Sequence, residues 1–475
     1  MKHTPILLMI WGLVLFPGHT ANANRIDNTV ESAPGWKAGI ARTVITPDQP
    51  MWMSGYSSRN RPSEGTLHDL WAKALALEDA DGRQAVLVTA DLRNFPKNLS
   101  DRIRDRVAER FGLTRAQILL NGSHTHSGPL LNTIRNYDYY ISALNAEQQE
   151  RVRQYSEALV GRIVNLVGSA LRSLEPAALY AGNGVARFAV NRRNNEEGEL
   201  EGLTELAGPS DHSVPVLKVV DRSGELMAVA FGYACHPTTL NFYRWSGDWP
   251  GFAQLQLERD HPGATALFFQ GAGGDQNPLP RRSVPLAEQY GREMAAAVER
   301  VLDEEGLMRP LSGQLRTGYS EVELQLSTPP SEETLRELAE GAPDSRRGRW
   351  ASRQLDKLER GEPLRRTYPY PVQIWRLGEQ TLIGLGGELV VDYAIELKRI
   401  FGQQIFVLGY SNDVMSYIPT VRIIREGGYE GASSQMVRGM PSTWETNIET
   451  VILNEVLRVA EKVGVPIHET TLIPD

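Results

Sequence analysis

Residues 116–129 read AQILLNGSHTHSGP. Ile118, Leu119 and Leu120 make a short unbroken apolar run, the pattern of a strand buried on both faces. Gly, Ser and Pro then end it. Two of the chain's nine histidines, His124 and His126, fall in the loop that follows. Loops at the C-terminal ends of strands are where α/β folds place much of their chemistry.

The same pattern recurs four times. LMAVAFGYACHPTTL runs into His236, and ATALFFQGAGGDQNP into Asp275, Gln276 and Asn277. TLIGLGGELVVDY reaches Glu388, and QIFVLGYSNDVMSYIP reaches Tyr410, Asn412, Asp413 and Tyr417. If these five ends lie side by side, they build one polar cleft. Around them, GWKAGIARTVITP reads as a strand ended by Pro47. WAKALALEDADGRQAVLVTAD reads as a hairpin turning at Asp81-Gly82, and VPVLKVVD pairs with LMAVAFGY across Asp221–Gly224. Helical spacing is expected over Leu99–Phe111 with Gly112 as the stop, over Leu144–Leu174, from about Val391, and around Trp444–Val463. The expected fold class is α/β: one large single domain, residues 35–475, with mixed β-sheets flanked by helices and the active site in loops at strand ends. Residues 331–361 are charged and helical and read as an insert, either a solvated surface element or a flap.

The chain has 475 residues, 41% of them hydrophobic, and a net charge of −8. That disfavours nucleic acid or an anionic membrane as partner, since both call for a basic surface. Residues 1–23 combine Lys2, a short apolar stretch and Ala21-Asn22-Ala23, the pattern of a secretory signal peptide cleaved after Ala23. Residues 24–34 read as a linker. No later run approaches ~18 apolar residues, so no transmembrane span is expected in the mature chain. The expected location is extracytoplasmic, periplasmic or secreted. The single cysteine, Cys235, forms no intrachain disulfide and reads as a small buried hydrophobe or a ligand.

His-x-His, a third histidine at another strand end and a carboxylate at a fourth fit a metal site, because zinc accepts imidazole nitrogen and carboxylate oxygen. A hydrogen-bonding loop is the simpler alternative. QGAGGDQNP lacks the Gly-Lys-Ser/Thr ending of a phosphate loop. Its glycines suggest close backbone approach to a substrate, with N–H groups for a developing oxyanion. No Gly-x-Ser-x-Gly elbow occurs, which argues against a serine hydrolase of that kind. Asp91, Asp248 and Asp275 are candidates to orient a ligand histidine, or are turn and cap residues.

The segments GIARTVITP, MSGY, LHDLWAKALALEDADGR, LLNGSHTHSGP, NRR, GYACHPTTL, SGDWPG and QGAGGDQNP, then Tyr417 and Tyr429, run in one order over about residues 36–435. In these the chain resembles the neutral/alkaline non-lysosomal ceramidases. The resemblance implies a large α/β domain with one zinc ion that hydrolyses the amide of ceramide. Matched by motif, His124, His236, Glu388 and Tyr417 are the implied metal ligands. His126 is implied to face the scissile carbonyl without binding metal, with Tyr429 as a second carbonyl-facing group. Arg192 matches the arginine of the family's Asn-Arg-Ser segment, an implied substrate contact.

Two departures stand out. The family's loop reads Gly-Asp-Val-Ser-Pro-Asn, and Asn277 occupies the serine's place. An amide side chain forms no acyl-enzyme but donates a hydrogen bond to an oxyanion. The family's C-terminal immunoglobulin-like domain has no expected counterpart before Asp475. The expected function is a zinc-dependent hydrolase attacking an amide or ester carbonyl of a small-molecule or lipid substrate. In it His126, Tyr429 and Asn277 stabilise the oxyanion, and Asp275 or Glu388 relays the proton. The alternatives are a metal-dependent hydrolase or lyase acting on a carbohydrate or amino-acid conjugate, and a non-catalytic binding protein.

Overall fold

Alternation along the strands sorts the apolar residues into layers. In WAKALALE, Ala72, Ala74 and Ala76 face one cluster while Leu75 and Leu77 face another. In TALFFQ, Ala266 and Phe268 face outward to helices while Leu267 and Phe269 face inward. Each such strand is buried on both faces and must be sandwiched. The protein is described by a computed structural model over Met1 and residues 35–132, 144–202, 205–304 and 306–468. The expected signal peptide and linker lie outside the described residues.

In chain order the strands are β1 (Trp36–Val44), β2 (Gly65–Thr66), β3 (Trp71–Glu78), β4 (Gln84–Ala90), β5 (Ile118–Gly122), β6 (Glu175–Val185), β7 (Ala189–Asn191), β8 (Ser213–Asp221), β9 (Leu226–Tyr233) and β10 (Arg244–Trp245). They continue as β11 (Thr265–Gln270), β12 (Gln276–Pro278), β13 (Arg309–Pro310), β14 (Leu315–Gln325), β15 (Thr367–Leu377), β16 (Gln380–Leu385), β17 (Glu388–Leu389), β18 (Phe406–Leu408) and β19 (Tyr417–Ile418). The helices are α1 (Lys97–Phe111), α2 (Ala146–Arg172), α3 (Asp248–Asp260), α4 (Val284–Asp303), α5 (Glu332–Gly341), α6 (Arg346–Glu359), α7 (Val391–Phe401), α8 (Val421–Glu426), α9 (Ser434–Val437) and α10 (Ile448–Val463).

The larger sheet runs β11-β9-β8-β6-β1-β3-β4-β5, with β13 beside β6. It is antiparallel except where β9 meets β11 and β4 meets β5. The second sheet runs β14-β15-β16-β18, its last pair parallel. The inner faces meet through Leu87, Leu119 and Leu267 on one side and Trp375, Phe406 and Leu408 on the other. Helices α1 and α2 cover one half of the large sheet, α3 and α4 the other half, and α7 and α10 the second sheet. The result is one large mixed α/β domain in four layers, helix–sheet–sheet–helix, as the fold-class reading expects.

Both expected hairpins form. Helix α1 ends at Gly112 in the left-handed conformation (φ 71°), the geometry that favours glycine there. The first strand stops at Val44, before Pro47. The last helix begins at Ile448 and not near Trp444. Trp444 is held in an isolated bridge to Leu326, and its Nε1 donates to the Tyr417 carbonyl at 2.9 Å. Residues 331–361 form α5 and α6 around Leu335, Trp350, Ala351 and Leu355. Trp350 Nε1 donates to the Met440 carbonyl at 2.8 Å, which seats α6 on the segment after α9.

Candidate metal and reaction centre

The large sheet curls until its edge strands β5 and β11 come together at their C-terminal ends. One fully buried side chain joins them. Asn121 Oδ1 accepts from the Gln270 N–H at 2.8 Å, and Nδ2 donates to the Gly409 carbonyl at 2.8 Å. An amide mimics a strand's donor–acceptor pair, so Asn121 links the ends of β5, β11 and β18 where no ladder can continue. The loops that follow these strands converge for that reason.

His124 and His126 leave β5 directly. His124 sits at φ 66°, an uncommon conformation for a side chain of this size. It is held by its own N–H on the Leu92 carbonyl at 2.9 Å and by Nδ1 on the Arg93 carbonyl at 2.8 Å. His236 follows β9, with Nδ1 on the Gly273 carbonyl at 2.6 Å. Glu388 and Tyr417 face each other in the two-residue parallel ladder of β17 and β19. Asn277 pairs with Val190 in the short ladder of β12 and β7, and Arg192 follows at once. Two small ladders beside the main sheets thus set four of the expected residues.

The donor atoms cluster. The ligand nitrogens of His124, His126 and His236 lie within 4.8 Å of one another. Glu388 Oε2 is 3.3 Å from His124 Nε2 and 3.5 Å from His236 Nε2. It is buried with no hydrogen-bond partner, while Oε1 is taken by Arg438. Tyr417 Oη lies 3.4 Å from His236 Nε2 and accepts from Arg192 Nη2 at 3.0 Å. Burial pushes all three imidazoles well below the usual histidine range, so their lone pairs are free of protons. An orphaned buried carboxylate oxygen among neutral imidazoles fits a divalent cation.

The histidines are not alike. The Nδ1 atoms of His124 and His236 are fixed by backbone carbonyls, which turns both Nε2 atoms toward Glu388. His126 Nε2 lies 3.3 Å from His124 Nε2, while its Nδ1 has no partner among the described residues. Its ring rests on Gly55 (φ 107°), where a Cβ would come within 2.5 Å of the ring carbon Cγ. A cavity of about 70 Å³ opens beside it, lined also by Arg93, Leu131, Glu388, Tyr417 and Tyr429. Arg192 is tied to Glu430 by Nε at 2.8 Å and approaches Asn277 Oδ1 at 3.5 Å. Tyr429 is 44% exposed, its ring edge-on to Tyr417 at 5.3 Å.

One expectation is corrected, and two readings left open by the sequence are decided. The carboxylates of Asp91, Asp248 and Asp275 do not orient the ligand histidines, because backbone carbonyls hold those nitrogens. Asp91 accepts from the Trp71 N–H, Asp248 from the Leu240 and Trp249 N–H groups, and Asp275 from the Val391 N–H at the start of α7. The glycines of QGAGGDQNP bring backbone against backbone. A Cβ on Gly274 would meet the Glu388 carbonyl at 2.8 Å, and its N–H donates to Leu389. Those of Gly271 and Gly273 are likewise used within the protein. They position Glu388 and His236, and their own N–H groups are not available to an oxyanion. Cys235 is buried in the core cluster with α3 and α4, its thiol pushed up by burial, as a small hydrophobe rather than a ligand.

Sequence reading missed Arg438 and Arg93, and it placed Tyr410 at the cleft without a role. Tyr410 packs its ring 4.4 Å from that of His124, with its buried hydroxyl unpartnered. Its positive φ of 53° and that of Asn412, 63°, mark the loop after β18 as strained beside the site.

The family model "Neutral/alkaline non-lysosomal ceramidase, N-terminal" matches residues 36–279. The neutral ceramidase of Pseudomonas aeruginosa is 24% identical across 84% of this chain and 69% of its own length. That of Mycobacterium tuberculosis is 24% identical across 80% and 71%. Neutral ceramidase B of Dictyostelium discoideum is 26% identical across 48% of this chain and 33% of its own. The crystal structure of the Pseudomonas aeruginosa enzyme superposes with a TM-score of 0.68 at 20% identity, over 93% of this chain and 76% of that one. At that identity the likeness is one of fold.

Proposed function

The chain belongs to the neutral/alkaline non-lysosomal ceramidase family, and from that premise we propose that it is a zinc-dependent hydrolase of N-acyl amides. The observation that carries the reading is the unpartnered Glu388 oxygen among buried, neutral imidazoles. His124, His236, Glu388 and Tyr417 would hold the ion. Zinc supplies Lewis acidity there, lowering the pKa of water toward ~7 and polarising a carbonyl.

The chain's own groups divide the remaining work. His126 fronts the cavity without the carbonyl anchor that fixes its neighbours, which suits a donor to the developing oxyanion. Tyr429 at the rim and Asn277 through Nδ2 add further donors. Arg192, fixed by Glu430 and Tyr417, holds the substrate side of the pocket. Both Asp275 oxygens are engaged, on the Val391 N–H and on Asn191 Nδ2, and Glu388 gives Oε1 to Arg438 and Oε2 to the ion, so neither carboxylate keeps a spare oxygen for the proton relay. Asp275 is a positioning residue at the start of α7. With Asn277 in the serine's place, attack by water replaces any acyl-enzyme route.

Export belongs to the same proposal. Among the described residues no helix is long and apolar enough to cross a membrane. One experiment tests these points together. The secreted or periplasmic protein should begin at Asn24 and contain one zinc, and His124→Ala should lose both metal and amide turnover. A variant that keeps zinc and turns over normally would contradict the assignment.

A further inference from the structure

Arg93 is built into the site from both ends. Its carbonyl accepts from His124 Nδ1 at 2.8 Å, and its side chain lines the cavity with His126, Glu388 and Tyr417. Its Nε is buried without a partner, and among the described residues no carboxylate pairs with its guanidinium. The neighbouring arginines are committed. Arg192 is held by Glu430 and Tyr417, Arg438 by Glu388, and Arg59 by the Ser54, His126 and Phe242 carbonyls. Arg192 and Arg193 share Glu430, Arg193 also reaches Glu426, and Arg438 takes Glu388, which leaves Arg93 as the cavity-lining guanidinium with no carboxylate among the described residues.

A neutral lipid closing over this pocket strips water from an uncompensated cation. A carboxylate meets the same fork in a bidentate pair. We propose that Arg93 recognises a carboxylate close to the scissile bond, so that the preferred substrates are acidic amides such as N-acyl amino acids. This rests on the amide-hydrolase reading above. In the reaction water adds to the amide carbonyl and the C–N bond breaks. The acyl half leaves as a carboxylic acid carrying the new hydroxyl, and the nitrogen takes the proton.

The test compares kcat/KM of the zinc-loaded protein for N-hexanoylglycine, the uncharged N-hexanoylglycinamide and a short-chain ceramide. The acid should exceed both neutral amides by at least about 10-fold. Arg93→Gln should lower kcat/KM for the acid roughly 10²-fold more than for the glycinamide, and Arg93→Lys should fall between. Metal content and melting temperature are checked for each variant. If Arg93→Gln fails to fold, the wild-type comparison decides alone. Equal or better turnover of a neutral amide, or an equal loss on both glycine substrates in Arg93→Gln, overturns this inference and leaves the hydrolase reading standing. No turnover of any of the three overturns both.

Discussion

At the residue scale, two histidines one residue apart are given different tasks by their hydrogen bonds. His124 has its Nδ1 anchored and its Nε2 turned to Glu388; His126 has an unanchored Nδ1 and a face on the cavity. The account therefore expects His126→Ala to keep its zinc and lose roughly 10²–10³ in turnover, the effect of removing one oxyanion donor. Metal analysis beside steady-state rates checks it, and loss of the metal would make His126 a ligand instead. The histidines, Glu388, Tyr417, Asn277 and Arg192 were legible because each follows a strand-ending signal or sits in a recognisable segment. Arg93 and Arg438 were not, and Tyr410 was read as a cleft residue with no partner named. An arginine or tyrosine in a loop has no spacing that reveals what it faces, and the roles of Asp91, Asp248 and Asp275 turned on backbone N–H groups that no side-chain pattern encodes.

At the element scale, the site depends on loops being brought together rather than on any one of them. The strands were readable from their apolar runs and the hairpins from Asp-Gly and Ser-Gly turns. The curling of the large sheet was not, since it brings β5 against β11, about 145 residues further along the chain, through one side chain. Asn121→Ala leaves the Gln270 N–H and the Gly409 carbonyl buried without that partner. The Gly409 carbonyl still accepts from Ser411 Oγ at 3.0 Å, so the expected loss is that of the orphaned Gln270 N–H, about 2 kcal/mol in unfolding free energy. Urea denaturation measures it. A change below about 0.5 kcal/mol would mean that the strand ends are held by other contacts. The ladders of β17 with β19 and β12 with β7 were equally hidden, because two-residue strands carry no periodicity.

At the scale of the whole molecule, burying carboxylates to set loop geometry leaves a pH signature. Burial raises the Asp275 carboxyl to about 6, against roughly 3.9 in an unfolded chain. The folded state therefore holds a proton that the unfolded state has released between those values. The stability this contributes is complete below about pH 4 and is lost as pH rises through about 6. Unfolding free energies of the wild type minus those of Asp275→Asn should fall by about 2–3 kcal/mol across that window, a shift of roughly two units at 1.36 kcal/mol each. A difference that stays flat would place the carboxyl in its ordinary range.

The four-layer fold, the two fixed imidazoles and the free Glu388 oxygen all converge on one claim, that the chain holds a metal ion which its amide hydrolysis requires. The most direct measurement is turnover of an N-acyl amide by purified protein before chelation, after removal of metal, and after zinc is restored. The account predicts one zinc per chain, activity abolished by its removal and recovered on its return. Full activity in the metal-free protein would contradict it.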